Sequence, residues 1–186
     1  MKILIILTGI FLMPISEFYA QSLFELELEF VNQLNIYRKK HGLGPVNYDA
    51  KIAHLANYHA KYLAECSVLN HDVHYDKSPH DEQYDIKNHK ELNFKQRAEM
   101  EPNKNIWAEI QIQSHHNKNK ETNSNVAKSI IESFDKSPGH KEIMLCEDLN
   151  PKFKNIIGVS IVKYQINSGS SFNTYSVNID FGVLIP

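Results

Sequence analysis

The sequence predicts an α+β protein or a layered α-β-α sandwich, and three observations carry that reading. Helical hydrophobic spacing fills the first third of the chain and returns over Val126 to Met144. Two segments with period-two alternation, Lys154 to Tyr164 and Phe172 to Val183, close it. Strand and helix nowhere alternate in the rhythm of a doubly wound parallel sheet.

The elements follow in order. Leu23, Leu26, Phe30, Leu34 and Tyr37 recur at spacings of three and four, so Leu23 to Lys40 is an amphipathic helix. It stops at His41-Gly42-Leu43-Gly44-Pro45, where glycine supplies a left-handed cap and proline forbids continuation. Asp49 caps a second helix from Ala50 to about Glu65, with Ile52, Leu55, Ala56, His59, Ala60 and Leu63 on its buried face. His54 and His59 read as partly buried helix residues. Ser67 to Asn103 has no apolar period and many charges, so it is a long irregular excursion with one short helix near Asn93 to Glu99. Asn105 to Gln113 alternates from Ile110 onward. Glu109 interrupts its apolar setting, and such a carboxylate is either exposed by a turn or buried with a partner. Ser114 to Asn125 is polar and low in complexity, which predicts a surface loop; His115 and His116 receive no role.

Val126, Ile130, Ile131 and Phe134 then mark one face of a helix. Pro138 ends it and opens another, with Ser137 as N-cap and Ile143 and Met144 on its buried face. His140 falls in the first turn, where the helix dipole favours a neutral imidazole able to ligate a metal or accept a proton. The two closing segments form an antiparallel hairpin around Ser168-Gly169-Ser170.

At 186 residues the chain forms one domain, and its 42% hydrophobic and 23% charged residues describe a globular protein rather than a disordered one. A formal net charge of -2 supplies no field toward nucleic acid, which is excluded as a partner. Met1-Lys2, the apolar run Ile3 to Ile15 and Ala20 before Gln21 read as a secretory signal peptide over residues 1–20, leaving a single domain over 21–186 without a stable membrane anchor. The apolar run is short for a bilayer span, and no cysteine near the cut accepts a lipid. The expected location is extracellular or periplasmic. Cys66 and Cys146 are the two cysteines. In an oxidising compartment they form either one disulfide, closing a loop worth about 4 kcal/mol, or two unlinked buried thiols.

Several pieces line up in order: L-N-I-Y-R at Leu34, G-L-G-P-V-N-Y-D at Gly42, A-N-Y-H-A at Ala56, L-N-H at Leu69, A-E-I at Ala108, S-P-G-H at Ser137, I-G-V-S at Ile157 and I-D-F-G at Ile179. Together they resemble the CAP superfamily of cysteine-rich secretory proteins, antigen 5 and pathogenesis-related 1 proteins, in its short bacterial form. The resemblance implies a three-layer α-β-α sandwich with a small, mainly antiparallel sheet. It also implies a cleft lined by two His and two Glu that in some members holds a divalent metal. Matched motif by motif, His71 resembles the first histidine, Glu109 the glutamate of the family's G-E-N-I segment, and His140 the second histidine. The second glutamate falls on Ser137, so the tetrad is incomplete here; His74 is a further candidate ligand.

Two neutral imidazoles and a carboxylate suit Zn²⁺ or another divalent cation with one open position. The alternative is a hydrogen-bonded polar cluster of the same three residues, tying the long loop to the helix corner. Most of the family implies a secreted, non-catalytic binding module whose cleft takes a small ligand, a lipid, a glycan or a protein. The enzymatic alternative is a metal-dependent hydrolase or peptidase with Glu109 as general base and His71 and His140 as ligands. Ser137 with His140 is a poor serine-hydrolase pair, since no G-x-S-x-G elbow is present.

Overall fold

A computed structural model of the chain describes residues 15–67, 74–75, 94–101, 104–146, 154–165 and 170–184. Helix α1 (Ile15–Lys40) leads to the two-residue strand β1 (Asn47–Tyr48) and helix α2 (Ala50–Ser67). Strand β2 (His74–Tyr75), helix α3 (Phe94–Glu99) and strand β3 (Lys104–Asn117) follow. Helices α4 (Asn123–Asp135) and α5 (Pro138–Met144) precede strands β4 (Lys154–Gln165) and β5 (Phe172–Leu184). The sheet runs β1-β4-β5-β3, with β2 also pairing β4. All of its pairs are antiparallel except β1 with β4. The expected hairpin of β4 and β5 forms, and β3 lies along the other side of β5.

Helices cover both faces. On one, Leu26, Phe30 and Leu34 of α1, Ile130 and Phe134 of α4 and Met144 of α5 close over Ile110, Ile157, Val159, Ile161, Val177 and Ile179. On the other, α2 sets Ala60 and Ala64 against Val162 and Tyr164, and Ile52 and Leu55 against Ile106 and Ile156, with Phe94 and Ala98 of α3 alongside. The three layers expected from the sequence are therefore present.

Local chemistry explains the helix ends. Leu43 N–H donates to Arg38 C=O (3.0 Å) and Gly42 N–H to Lys39 C=O (3.1 Å), with Gly42 at φ 78°, the paired bonds of a left-handed helix cap. Asp49 Oδ1 accepts from the N–H groups of Lys51 and Ile52 at 3.0 and 3.1 Å and caps α2 as expected. Ser137 holds the N-cap position of α5 with Pro138 in the first turn, although its hydroxyl makes no capping bond. Glu27, fully buried on α1, accepts from Ile161 N–H at 3.0 Å and covers β4 between its short partners β1 and β2.

Arg38 fastens α1 to α5. At 2% exposure it donates to the carbonyls of Gly44 (2.8 Å) and Met144 (2.7 Å), with a longer bond to Cys146 (3.3 Å). Its charge thus sits at the negative ends of two helices. Arg38→Met keeps the apolar stem and strips the donors from these carbonyls, so it is expected to lower stability by about 2 kcal/mol. Urea unfolding of the variant beside the wild type measures this.

One expectation is corrected. Residues 114–117, read as the start of a polar loop, extend β3 and pair with Tyr175 to Phe172 of β5. Their polarity marks a strand with solvent beside it rather than a break. Of the two states open for the cysteines, Cys146 is found as a half-buried thiol. Cys66 ends α2, whose last turns pack beside Val162 and Tyr164, whereas Cys146 follows α5 on the other face and borders Asn155 and Ile156. Those rungs of β4 lie about 20 Å apart along the strand, and bridged cysteines need Cα atoms within about 7 Å.

Candidate functional site

The site is built by strand alternation and one bulge. Ile110 and Ile112 of β3 face the α1 side. Gln111 and Gln113 face α2, where Gln111 Oε1 meets His59 Nε2 and Gln113 Nε2 donates to Leu63 C=O at 3.4 Å. Between Ile106 and Ala108 the register shifts by one residue, so Ile106 packs on the α2 side while Trp107 packs over Phe181 on the other, ring centroids 6.0 Å apart. The bulge sets the parity of Glu109, which lies on the α2 face opposite Asp180 of β5.

There Glu109 is half-buried with a partner. Arg97 of α3, 2% exposed, donates from Nη2 to Glu109 Oε1, and Asn178 Nδ2 donates to the same oxygen at 3.0 Å. Asn178 Nδ2 also lies 3.4 Å from Asp180 Oδ1, and Arg97 Nη1 lies 3.5 Å from His59 Nδ1. Asp180 is 1% exposed. Burial pushes its carboxyl well above the usual carboxylate range, and the charge of Glu109 adds to that push; Arg97 and Asn178 only partly oppose it. Asp180 is therefore biased toward its protonated form, beside the ion pair of Arg97 and Glu109.

These residues head a longer polar row. Thr174, Ser176, Asn178 and Asp180 alternate with Tyr175, Val177, Ile179 and Phe181, and all four are buried on the face that α2 covers. Beside them Gln111, Gln113 and His115 of β3 are exposed, with His115 Nδ1 3.0 Å from Thr174 Oγ1. Ser160 Oγ donates to Asn57 Oδ1 at 3.0 Å across α2 and β4. Among the described residues, Ser176 Oγ and Asn178 Oδ1 are buried without a hydrogen-bond partner. A buried polar row in place of an apolar one is unusual enough to mark a site.

Of the three residues expected to converge, Glu109 and His140 are described, and they lie on opposite faces of the sheet. His140 is in the first turn of α5, edge-on to Phe134 with ring centroids 5.1 Å apart, on the α1 side. Glu109 is on the α2 side, so the sheet stands between them. His74 pairs with Gln165 at one end of β4, while Glu109 and Asp180 share a rung with Gly158, about 23 Å away along the strand. His71 lies outside the described residues. Among the described residues no cluster of three or more His, Cys, Asp or Glu can hold a metal ion. The set around Glu109 fits a divalent cation poorly, because a guanidinium already lies against its oxygen.

Arg97, Asn178 and Asp180 were not singled out by sequence reasoning, and His59 was read only as a partly buried helix residue. One signal pointed to Asn178 and Asp180: the four polar residues Thr174, Ser176, Asn178 and Asp180 stand at every second place, between Tyr175, Val177, Ile179 and Phe181. Nothing local pointed to Arg97, which reaches the site only through the packing of α3.

Solved structures resemble this one in outline. An outer surface protein of Borrelia burgdorferi aligns at 16% identity and a TM-score of 0.44, over 85% of this chain and 92% of its own. An extracellular protein of Bacillus anthracis containing an SCP domain aligns at 16% identity and 0.47, over 89% of this chain and 43% of its own. No curated protein matches the sequence. The family model for CAP, the cysteine-rich secretory protein family, matches residues 31–175. That span runs from within α1 into β5 and takes in Arg97 and Glu109, so this chain belongs to the CAP family.

Proposed function

We propose that this chain is an exported CAP-family binding module that takes a glycan or similar polyhydroxylated ligand along the polar face of its sheet. The observation that carries the reading is the line of exposed polar side chains on β3, Gln111, Gln113 and His115, beside the buried polar row of β5. Two amides and an imidazole in a line offer both donors and acceptors to a ligand rich in hydroxyl groups. Such a surface suits a sugar better than a lipid chain. Export rests on the Met1-Lys2 charge, the apolar run after it and Ala20.

The hydrolase alternative has less support. A general base needs a free lone pair directed at substrate, and Glu109 Oε1 already accepts from both Arg97 and Asn178.

A glycan array probed with the labelled wild type and with a Gln111→Ala, Gln113→Ala double variant tests the proposal. Glycans retained by the wild type should bind the double variant at least tenfold more weakly. An array that retains no wild-type protein, or retains both proteins equally, sinks it. Peptide or ester hydrolysis lost in Glu109→Gln would establish the enzymatic reading instead. Export is checked by recovering the chain, cut after Ala20, outside the cytoplasm.

A further inference from the structure

We infer that β3 is an open docking edge for the β3 of a second copy of this chain, paired antiparallel and two-fold about Ile112, so that two sheets join into one. The inference goes beyond the proposed ligand and does not depend on it.

The two sides of the sheet are treated differently. Along β4, β1 and β2 pair with the ends of the strand, and between them the buried carboxylate of Glu27 accepts from Ile161 N–H at 3.0 Å. On the other side, among the described residues, β3 pairs with β5 alone. Lysines, prolines and bulges are the usual devices that stop an edge strand from recruiting another strand. β3 carries them only at its ends: Lys104 and the bulge between Ile106 and Ala108 at the start, Lys118 and Lys120 just past the finish. From Ala108 to Asn117 there is no bulge, proline, lysine or arginine. Such a stretch presents a row of outward N–H and C=O groups as a template for strand addition.

Its side chains suit a copy of itself. For the helical layers of two copies to continue on the same sides, odd-numbered residues must face odd-numbered ones across the new seam, because side chains alternate between faces. Among the two-fold pairings this allows, the one centred on Ile112 runs from Ala108 to His116, so it uses the bulge-free stretch and stops short of the lysines. It places His115 opposite Glu109, an imidazole against a carboxylate, once on each side of the axis. His115 Nδ1 is engaged by Thr174 Oγ1 at 3.0 Å, which makes Nε2 the nitrogen for the partner's Glu109. The same register sets Gln111 opposite Gln113, whose amides both donate and accept, and Ile112 opposite itself. Centring on Gln111 or Gln113 instead puts Glu109 against Gln113 or Asn117 and loses the charge pairing.

Sedimentation equilibrium of the purified chain over a dilution series, with amide hydrogen exchange at both ends of the series, tests this. The wild type should approach twice the chain mass at high concentration, and exchange protection should rise with concentration over Ala108 to His116. Gln111→Lys with Gln113→Lys sets lysine against lysine on both sides of the axis and should weaken association by about tenfold or more. Gln111→Lys with Gln113→Glu sets each lysine against a glutamate and should associate as tightly as the wild type, which separates a charge effect from misfolding. A wild type that stays monomeric throughout overturns the inference. So does a dimer whose added protection lies elsewhere in the chain, or one that both double variants weaken alike or that neither weakens.

Discussion

Gly158→Ala is expected to destabilise this protein by about 3 kcal/mol, the upper end of the usual range for overpacking. α2 crosses β4 so closely at this point that an added Cβ would sit within 3.0 Å of the Ile52 carbonyl carbon and the Ala53 nitrogen. Both are backbone atoms, so no rotamer change relieves the clash; the helix itself must move. Ile52 and Ala53 are fully buried, and a shift there disturbs the packing of Ile52 and Leu55 on Ile106 and Ile156, against which α3 also rests. Gly158 shares its rung with Asp180 and Glu109, so displacing α2 also loosens the seat of Arg97. For a chain of this size the loss corresponds to roughly 6–12 °C in Tm. Gly139→Ala is the control, because a Cβ at Gly139 meets nothing within 4 Å. Thermal melts that leave Gly158→Ala within 2 °C of that control would remove the close crossing from the account.

What the sequence made legible follows a physical line. Periodicity reports which residues of an element are apolar, so α1, α2, the α4–α5 corner and the closing hairpin could be read. Pro138 could end α4 only where it stands, and Gly42 could supply a positive φ where few other residues would. Periodicity does not report which layer a residue meets. His140 and Glu109 each sit in the predicted kind of element, yet they face opposite sides of the sheet. That outcome depends on the bulge at Trp107, and a one-residue shift in strand parity leaves no trace in composition. The same limit explains the cysteines: two helix ends were correctly expected, but the sheet lies between them. The polar side of β5 was present in the letters. Its apolar half alone satisfies the strand pattern.

Asp180→Asn is expected to make the protein more stable than the wild type at neutral and alkaline pH, with a margin that grows as pH rises. The native chain holds the Asp180 proton well above the ordinary value of 3.8 at which the unfolded chain releases it. Between those two limits the native state carries the extra proton, so stability falls with rising pH, by up to about 1.4 kcal/mol per unit, and levels off once the native carboxyl ionises. The contribution is whole below pH 4 and lost as pH rises through the native value. Asparagine has the same shape and no proton to lose. Its amide can donate to Glu109 where the protonated acid did, and its oxygen can accept from Asn178. The two proteins should therefore match near pH 4 and diverge in favour of Asp180→Asn as pH rises, by up to about 1.4 kcal/mol for each unit until the native carboxyl ionises. Burial pushes the Asp49 carboxyl up, but Lys104 and the helix N–H groups outweigh it and hold Asp49 below the usual range. Its titration therefore falls at lower pH and is common to both proteins, so it cancels in the difference. Urea unfolding of the pair from pH 4 to pH 9 reads the divergence directly. Parallel curves would mean that Asp180 ionises like an ordinary carboxylate, and the raised carboxyl beside the Arg97–Glu109 pair would have to be given up.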